Sequence, residues 1–162
     1  MDLSAARPDV LVLVGTQTGN SEVVADALAE RLGALGFAAH LLDMAEAYPE
    51  QLADYEQLVA VTCTWSEGTF PDNAVEFAEA LEAVRPDLAS LRFGVCGLGD
   101  RDYDPYYQTA AYRLADLLRA CGATEAAPLH DIDGGPTPGD IEGAVEWAVR
   151  CAGAFAGLGI RD

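Results

Sequence analysis

A polar loop at residues 15–21 carries the clearest chemical signal in the sequence. It joins an aliphatic run at 10–14, typical of a strand buried on both faces of a parallel sheet, to a segment with the apolar spacing of a helix. A turn this sharp directs free backbone N–H groups and the positive end of the helix dipole to one point. We therefore predict that the loop binds a phosphate group. After its first glycine the loop contains only uncharged residues: Thr16, Gln17, Thr18, Gly19, Asn20 and Ser21.

Two known kinds of phosphate-binding loop need residues that this sequence does not have. A nucleoside-triphosphatase loop ends in Gly-Lys-Ser or Gly-Lys-Thr, and this chain contains no lysine. A dinucleotide fingerprint needs three closely spaced glycines, whereas this loop has only Gly15 and Gly19. What remains is a cradle of neutral donors for a terminal phosphate. An alternative, in which the threonine and serine side chains only cap the helix, stays open at this stage.

Aromatic side chains lie in two further loops. Trp65 follows one strand-like aliphatic run, and Tyr103, Tyr106 and Tyr107 follow another. In parallel sheets flanked by helices, ligands bind outside the carboxyl ends of the strands, so these loops should converge on the phosphate loop. A planar ring between Trp65 and Tyr103 would gain about 0.5–1.5 kcal/mol per stacked pair beyond area burial. Taken singly, an aromatic residue in a loop is more often a packing residue, and that alternative stays open.

The elements that must position these loops alternate between strands and helices. Each parallel crossover needs a helix, so the pattern predicts an α/β fold, with a doubly wound five-stranded parallel sheet in three α/β/α layers. Asp72 or Asn73 is the expected cap of the third helix, and Gly33 with Gly36 should end the first. We expect a single domain over 1–162, with residues 1–9 as a disordered lead. The predicted strands are 10–14, 38–43, 58–62, 92–97 and 124–129, and the predicted helices are 21–32, a short one within 44–55, 74–84, 106–121 and 140–155.

Composition and charge limit the classes of partner. The chain has 162 residues, 51% of them hydrophobic, which is enough for the core of one domain. Nine Lys and Arg against 27 Asp and Glu give a net charge of −18. Such a field disfavours nucleic acid and anionic membranes and favours a basic protein partner, although solubility or adaptation to salt would also explain it.

Neither a membrane span nor a metal site is expected. No run approaches the roughly 20 apolar residues of a membrane span, and the N-terminus lacks the order of a signal peptide, so we expect a cytoplasmic protein. The four cysteines include no Cys-x-x-Cys pair and none lies near a histidine, which indicates free thiols rather than metal ligands. We assign neither His40 nor His130 to catalysis.

Three motifs in order make the chain similar to the flavodoxin-like FMN proteins, which include short-chain flavodoxins and the FMN domains of diflavin reductases such as the sulfite reductase flavoprotein. The motifs are residues 16–21 (TQTGNS), 64–68 (TWSEG) with 71–73 (PDN), and 97–103 (GLGDRDY). The resemblance covers nearly the whole chain and implies the strand order 2-1-3-4-5, FMN as cofactor, and no insertion within the fifth strand. It implies that residues 16–21 bind the FMN phosphate and that Trp65 and Tyr103 flank the isoalloxazine ring. By the same resemblance the remaining FMN contacts are Thr64, Ser66, Gly68, Leu98, Gly99, Asp100, Tyr106 and Tyr107.

The resemblance implies an electron carrier without catalytic residues of its own. We expect a monomer that takes electrons from a donor of the flavodoxin or ferredoxin NADP reductase type and passes them to an acceptor enzyme. The FMN domain of a diflavin reductase, an NAD(P)H-dependent quinone reductase on the same fold and a module that has lost flavin are alternatives. A receiver domain is disfavoured, because it needs an acidic pair after the first strand and a phospho-accepting Asp after the third. The chain has Thr16 and Gln17 at the first place, and Cys63 and Thr64 at the second.

Overall fold

One parallel sheet forms the centre of the computed structural model, which describes residues 9–16, 19–64, 68–103 and 106–156. Its central strands are aliphatic and buried on both faces, apart from one or two residues at their ends. This is the burial that a parallel sheet covered by helices requires. The strands are β1 (Asp9–Gly15), β2 (Ala38–Asp43), β3 (Gln57–Cys63), β4 (Arg92–Gly99), β5 (Thr124–Glu125) and β6 (His130–Asp133).

The order of the strands is β2-β1-β3-β4-β5, and every pairing is parallel. The predicted doubly wound sheet and its order are therefore confirmed. The fifth position of the sheet holds two short strands, whereas one strand over 124–129 was expected. There β5 pairs with Arg92 and Phe93, and β6 pairs with residues 96–99 further along β4. The intervening residues contain Pro128, which has no N–H for the ladder, and residues 130–133, predicted as loop, form the second piece of strand.

Within the described ranges, four α-helices cover the two faces of the sheet. Alternation along β1 shows the division: Leu11 and Leu13 face the core beneath α2 and α3, whereas Val10, Val12 and Val14 face the core beneath α1 and α4. The three predicted layers are thus confirmed. Among the described residues, no helix is both long and apolar enough to cross a membrane. The helices are α1 (Asn20–Ala34), α2 (Val75–Val84), α3 (Thr109–Ala120) and α4 (Pro138–Ala156).

Some boundaries differ from the predictions. The region predicted to hold one short helix forms two 3₁₀ segments, Met44–Glu46 and Pro49–Asp54. Helix α3 begins three residues later than predicted. Gly36, with a φ of +99°, follows the last turn of α1 as expected, but Gly33 lies inside that helix. Asp9 belongs to β1, and residues 1–8 of the predicted lead lie outside the described residues.

None of the four cysteines, all of which lie in the described ranges, forms a disulfide, and Cys96 and Cys151 are deeply buried. Burial raises the pKa of the Cys96 thiol well above its ordinary value. It also raises the pKa of Cys151, to about 12. A thiol becomes a nucleophile or a metal ligand as its thiolate, so these two residues contribute packing rather than reactivity.

Trp147 of α4 holds the interrupted fifth strand against the rest of the fold. It is almost fully buried, and its indole N–H donates to the carbonyl oxygen of Pro128 at 2.9 Å. The ring of His130, the first residue of β6, stacks on the indole with 5.9 Å between centroids. Partial burial lowers the pKa of His130 below its ordinary value, more than the nearby carboxylates of Asp131 and Asp140 raise it.

This environment predicts a pH dependence of stability. Because the pKa of His130 is lower in the folded than in the unfolded protein, its contribution is complete above the unfolded-state pKa of about 6.5 and is lost as the pH falls through the folded-state pKa. We expect the unfolding free energy of the wild type to fall more between pH 7.5 and 5 than that of His130→Gln. Urea unfolding at both pH values measures the difference, with His40→Gln as the control. Equal losses in the wild type and His130→Gln would contradict the assignment.

Candidate functional site

The carboxyl ends of β1, β3 and β4 lie side by side at one edge of the sheet. Gly15 at the end of β1 pairs with Thr62, and Cys63 at the end of β3 pairs with Leu98. The strand order also reverses here, because β2 lies on one side of β1 and β3 on the other. Loops that leave such a switch point in opposite directions open a crevice. The loops after β1, β3 and β4 therefore begin at the place where this sheet would bind a ligand.

The loop after β1 turns directly into α1. Gly19, the residue before the helix, has a φ of +92°, which glycine adopts without strain. Its N–H donates to Thr16 Oγ1 at 2.8 Å, so the two ends of the loop are held together. The hydrogen-bond ladder of α1 starts when the N–H of Val23 donates to the carbonyl oxygen of Gly19. The three backbone N–H groups between these residues have no acceptor within the helix, and they form the positive end of its dipole.

Ser21 adds an unused donor to this turn. Its side chain is fully buried, and its hydroxyl has no hydrogen-bond partner within the part of the chain that the structure describes. A buried polar group without a partner costs about 1–3 kcal/mol, so the position is unfavourable unless something else supplies an acceptor. The N-cap residue of α1 is Gly19, which has no side chain, and the Ser21 hydroxyl caps no backbone group in the described part of the chain. The residues present fit an anion that is bound by neutral donors.

Asn73 links the first loop to its neighbours and is not a helix cap. The N–H of Thr16 donates to Asn73 Oδ1 at 2.8 Å, and Asn73 Nδ2 donates to Asp43 Oδ1 at 2.8 Å. The N-cap residue of α2 is Ala74, so the prediction that Asp72 or Asn73 occupies this position is wrong. The physical reason is competition: the amide side chain bonds to a loop residue far away in sequence instead of to the helix behind it.

The loops after β3 and β4 also meet. The N–H of Thr64 donates to the carbonyl oxygen of Leu98, and Thr64 Oγ1 accepts a hydrogen bond from the N–H of Ala110 at the start of α3, at 3.1 Å. A Cβ at Gly68 would lie only 3.1 Å from the Tyr106 ring, so the two loops touch there. Together with the Thr16 to Asn73 bond, these contacts bring the three predicted loops to one edge of the sheet.

Gln108 fixes the base of the loop after β4. This buried residue has a φ of +60°, and its Nε2 donates to the carbonyl oxygens of Gly97 and Ile132, at 2.9 and 3.2 Å. The amide therefore contacts both β4 and β6 in the middle of their ladder. A Cβ at Gly99 would lie 3.3 Å from both Gln108 and the ring of Tyr107, so these two residues pack closely against the end of β4. Beyond it, Asp100 Oδ1 accepts a hydrogen bond from the N–H of Asp102 and shapes the turn.

Charged and aromatic side chains cluster around Tyr107. Its hydroxyl donates to Asp131 Oδ2 at 2.7 Å, and the guanidinium of Arg101 lies 4.4 Å above its ring. Arg101 also forms ion pairs with Asp131 and Asp133, at 3.5 and 3.2 Å. Partial burial, and then the hydrogen bond to Asp131, raise the pKa of Tyr107 above its ordinary value. The cluster fastens the β4 loop to β6, and the positive charge of Arg101 is already engaged by two carboxylates.

Comparison with known proteins decides the family. Residues 12–147 match the family model described as flavodoxin. The chain belongs to the flavodoxin family. It is 38% identical over 133 residues to the sulfite reductase NADPH flavoprotein alpha-component of Shewanella sp. strain MR-7, an alignment that covers 82% of this chain and 22% of that protein. The chain thus spans about a fifth of the length of the curated relatives that it matches.

Solved structures of flavodoxins share the fold. Flavodoxin 1 from Bacillus cereus superimposes with a TM-score of 0.82 at 22% identity, over 89% of this chain and 97% of that one. A cysteine-to-serine mutant of the flavodoxin from Pseudomonas aeruginosa superimposes with a TM-score of 0.82 at 28% identity, over 91% of this chain and 98% of that one. Flavodoxins bind FMN and transfer electrons, so this flavodoxin is an FMN-binding electron-transfer protein. The Ser21 hydroxyl, which has no partner among the described residues, and the uncharged first loop fit the phosphate of that cofactor.

The structure describes most of the predicted site residues of this flavodoxin. Gln17, Thr18, Trp65 and Ser66 lie outside the described residues, and Tyr103 is described by its backbone, in the 3₁₀ segment Arg101–Tyr103. The stacking of a ring between Trp65 and Tyr103 therefore stays a prediction. The predicted residues that the structure brings to the shared edge are Thr16, Gly19, Asn20, Ser21, Thr64, Gly68, Leu98, Gly99, Asp100, Tyr106 and Tyr107.

Sequence reasoning missed three contributors to this edge: Asn73 as a loop anchor, Gln108 and Asp131. In the His-Asp-Ile-Asp run at 130–133 an apolar residue stands between two aspartates, and this short pattern could have suggested β6 and placed Asp131 beside the β4 loop. Gln108 and Asn73 gave no such signal, because an amide residue ahead of a helix is ordinarily a cap or a surface residue.

The Tyr107 cluster predicts a measurable coupling energy. Tyr107→Phe removes a hydrogen bond to a charged acceptor, and we expect the unfolding free energy to fall by about 1 kcal/mol. The same substitution in an Asp131→Asn background should cost less, because the bond to the carboxylate is already weakened there. Urea unfolding of the four proteins at pH 7 measures the coupling, with Tyr112→Phe on the exposed face of α3 as the control. A coupling of zero would show that the bond contributes nothing.

Proposed function

We propose that the chain binds FMN in the crevice between β1 and β3, with the phosphate at the start of α1. One observation carries this proposal: the buried Ser21 hydroxyl has no partner in the described part of the chain. It belongs to a turn without a cation, beside backbone N–H groups that have no helical acceptor. A phosphate would accept hydrogen bonds from that hydroxyl, from the Thr16 hydroxyl and from the first turn of α1. Gln17, Thr18, Gly19 and Asn20 complete this proposed set.

We further propose that the isoalloxazine ring lies between Trp65 and Tyr103. The meeting of the three loops supports this placement, since the hydrogen bonds of Thr64 and the close packing of Gly68 hold two walls of one slot together. Bound FMN supplies the electron chemistry, whereas the protein positions the ring and limits its exposure to water. The residues proposed to line the ring are Thr64, Ser66, Gly68, Leu98, Gly99, Asp100, Tyr106 and Tyr107.

In this proposal the protein is a carrier that passes electrons between basic partners. The net charge of −18 supports it, because a field of one sign speeds encounter with a partner of the opposite sign. A donor of the flavodoxin or ferredoxin NADP reductase type fits this chemistry. The earlier expectations of a monomer and of a cytoplasmic location stay predictions.

A second candidate role is that of the FMN domain of a larger reductase. Its support is the 38% identity to a sulfite reductase NADPH flavoprotein, of which the matched region is 22%. In that role the electrons would come from a flavin-containing partner domain rather than from a separate donor protein. The chemistry proposed for the FMN slot is the same in both roles.

Titration and reduction of the purified protein test the proposal. The flavin-free protein is titrated with FMN, and the complex is then mixed with NADPH, alone and with a flavodoxin NADP reductase. We expect tight binding of FMN and reduction only when the reductase is present. Reduction by NADPH alone would indicate a quinone reductase on the same fold. Failure to take up FMN would overturn the proposed function.

Ser21→Ala should affect stability and binding in different directions. Removing a buried hydroxyl without a partner should leave the unfolding free energy of the flavin-free protein unchanged or raise it by about 1 kcal/mol. The same change should weaken FMN binding about tenfold, the equivalent of one lost hydrogen bond to a charged group. Urea unfolding and fluorescence titration measure the two effects. Unchanged FMN affinity would contradict the assignment of Ser21 to the phosphate.

The acidic field should also act on the redox potentials. Adding negative charge to a site in a protein of net charge −18 is unfavourable, and a unit pair at 4 Å amounts to about 4 kcal/mol at an effective dielectric constant of 20. We expect the lower of the two one-electron potentials to lie below that of free FMN and to rise as salt screens the field. Potentiometry at low and high sodium chloride measures this. A potential equal to that of free FMN at low salt would contradict the prediction.

A further inference from the structure

Asn73 joins three segments that come together only in the folded protein. Its Oδ1 accepts a hydrogen bond from the N–H of Thr16, and its Nδ2 donates to Asp43 Oδ1, each at 2.8 Å. The same Asp43 oxygen accepts a hydrogen bond from the N–H of Ala45, also at 2.8 Å. The end of β2, the start of the loop after β1 and the turn before α2 are thus connected through one half-buried amide.

The direction of this amide is fixed by its partners. The N–H of Thr16 requires an acceptor, and the carboxylate of Asp43 requires a donor, so only one orientation of the Asn73 side chain satisfies both. The bond to Asp43 is charge-assisted and therefore stronger than a bond between two neutral groups. Asn73 consequently presents its oxygen to Thr16 in a nearly fixed position.

The bond determines which groups of the first loop face a ligand. Because the Thr16 N–H points to Asn73, it does not point to the crevice. The Thr16 Oγ1 accepts from the N–H of Gly19, which leaves its own O–H proton free to be donated elsewhere. The preceding residue is also fixed, since a Cβ at Gly15 would lie 2.8 Å from Thr62 Oγ1 and 2.9 Å from Met44 Sδ. Thr16 is therefore held on both sides, by packing at Gly15 and by the amide of Asn73.

We propose that Asn73, backed by Asp43, is a positioning residue for phosphate binding: it orients Thr16 so that the hydroxyl, and not the backbone N–H, serves the phosphate. The inference rests on the proposed placement of the FMN phosphate at the start of α1. It predicts an effect on the phosphate end of the ligand and none on the ring. Riboflavin, which has the same ring and no phosphate, is the ligand that separates the two.

The test compares the affinities of the flavin-free protein for FMN and for riboflavin. We expect Asn73→Ala to weaken FMN binding about tenfold and to leave riboflavin binding within about twofold. Gln51→Ala is the matched control, because Gln51 Oε1 accepts a hydrogen bond from the N–H of Tyr48 at 2.7 Å in a 3₁₀ segment away from the crevice. That variant should change neither affinity.

Two further variants keep the proposal testable if Asn73→Ala does not fold. Asn73→Asp sets one carboxylate against another and should weaken FMN binding more than Asn73→Ala does. Adding Asp43→Asn to Asn73→Asp places an amide donor opposite the carboxylate again, while the Ala45 N–H loses its carboxylate acceptor, so this pair should recover part of the FMN affinity.

The possible outcomes separate the inference from the proposed function. Selective loss of FMN affinity with recovery in the exchanged pair supports the positioning role. Equal loss of FMN and riboflavin affinity, or unchanged FMN affinity in the Asn73 variants, would overturn it while leaving the proposed cofactor site intact. A wild-type protein that binds riboflavin as tightly as FMN would instead overturn the placement of the phosphate.

Discussion

The structure depends on a short set of donors at the start of α1 that have no acceptor within the helix. A helix that begins directly at the end of a buried strand leaves its first N–H groups without acceptors, and here the buried hydroxyl of Ser21 is added to them. Such a cluster is unfavourable in isolation and favourable around an anion, since helix N-termini bind phosphates through the same groups. The remaining features hold it in place: the parallel register aligns the strand ends, and Asn73 anchors the loop.

The loop after β1 contains no cation, and the protein as a whole is strongly negative. These two facts act together on the charge of a bound phosphate. A lysine or arginine in the loop would neutralise a bound phosphate, whereas neutral donors leave its charge in place within an already negative molecule. The only arginine in the β4 loop, Arg101, is held by Asp131 and Asp133 over the Tyr107 ring. The local arrangement therefore preserves the negative field around the proposed FMN site. That field would disfavour reduction of the flavin to an anion and would favour partners of positive charge.

Sequence reasoning recovered the layers and the three loops, because those features follow from local periodicity and from the rules of parallel crossovers. The strand order came from the family resemblance. It failed where a contact between distant residues overrides a local preference. Asn73 has the type and position of a helix cap, yet its amide is used by Thr16, which lies 57 residues away. At the fifth strand, Pro128 breaks a run that reads as continuous, and the bond from Trp147 that stabilises the break comes from another element of the chain.

The break in the fifth strand has a consequence for the edge of the sheet. The last position holds only Thr124–Glu125 and His130–Asp133, separated by a segment with a proline, so no long row of free backbone groups faces outward there. This interrupted edge disfavours the addition of a continuous strand from a second molecule. The carboxylates of Asp131 and Asp133 would also repel the same edge of another copy. A short, interrupted and negatively charged border of this kind protects the protein against edge-to-edge aggregation, which a flat open sheet would invite.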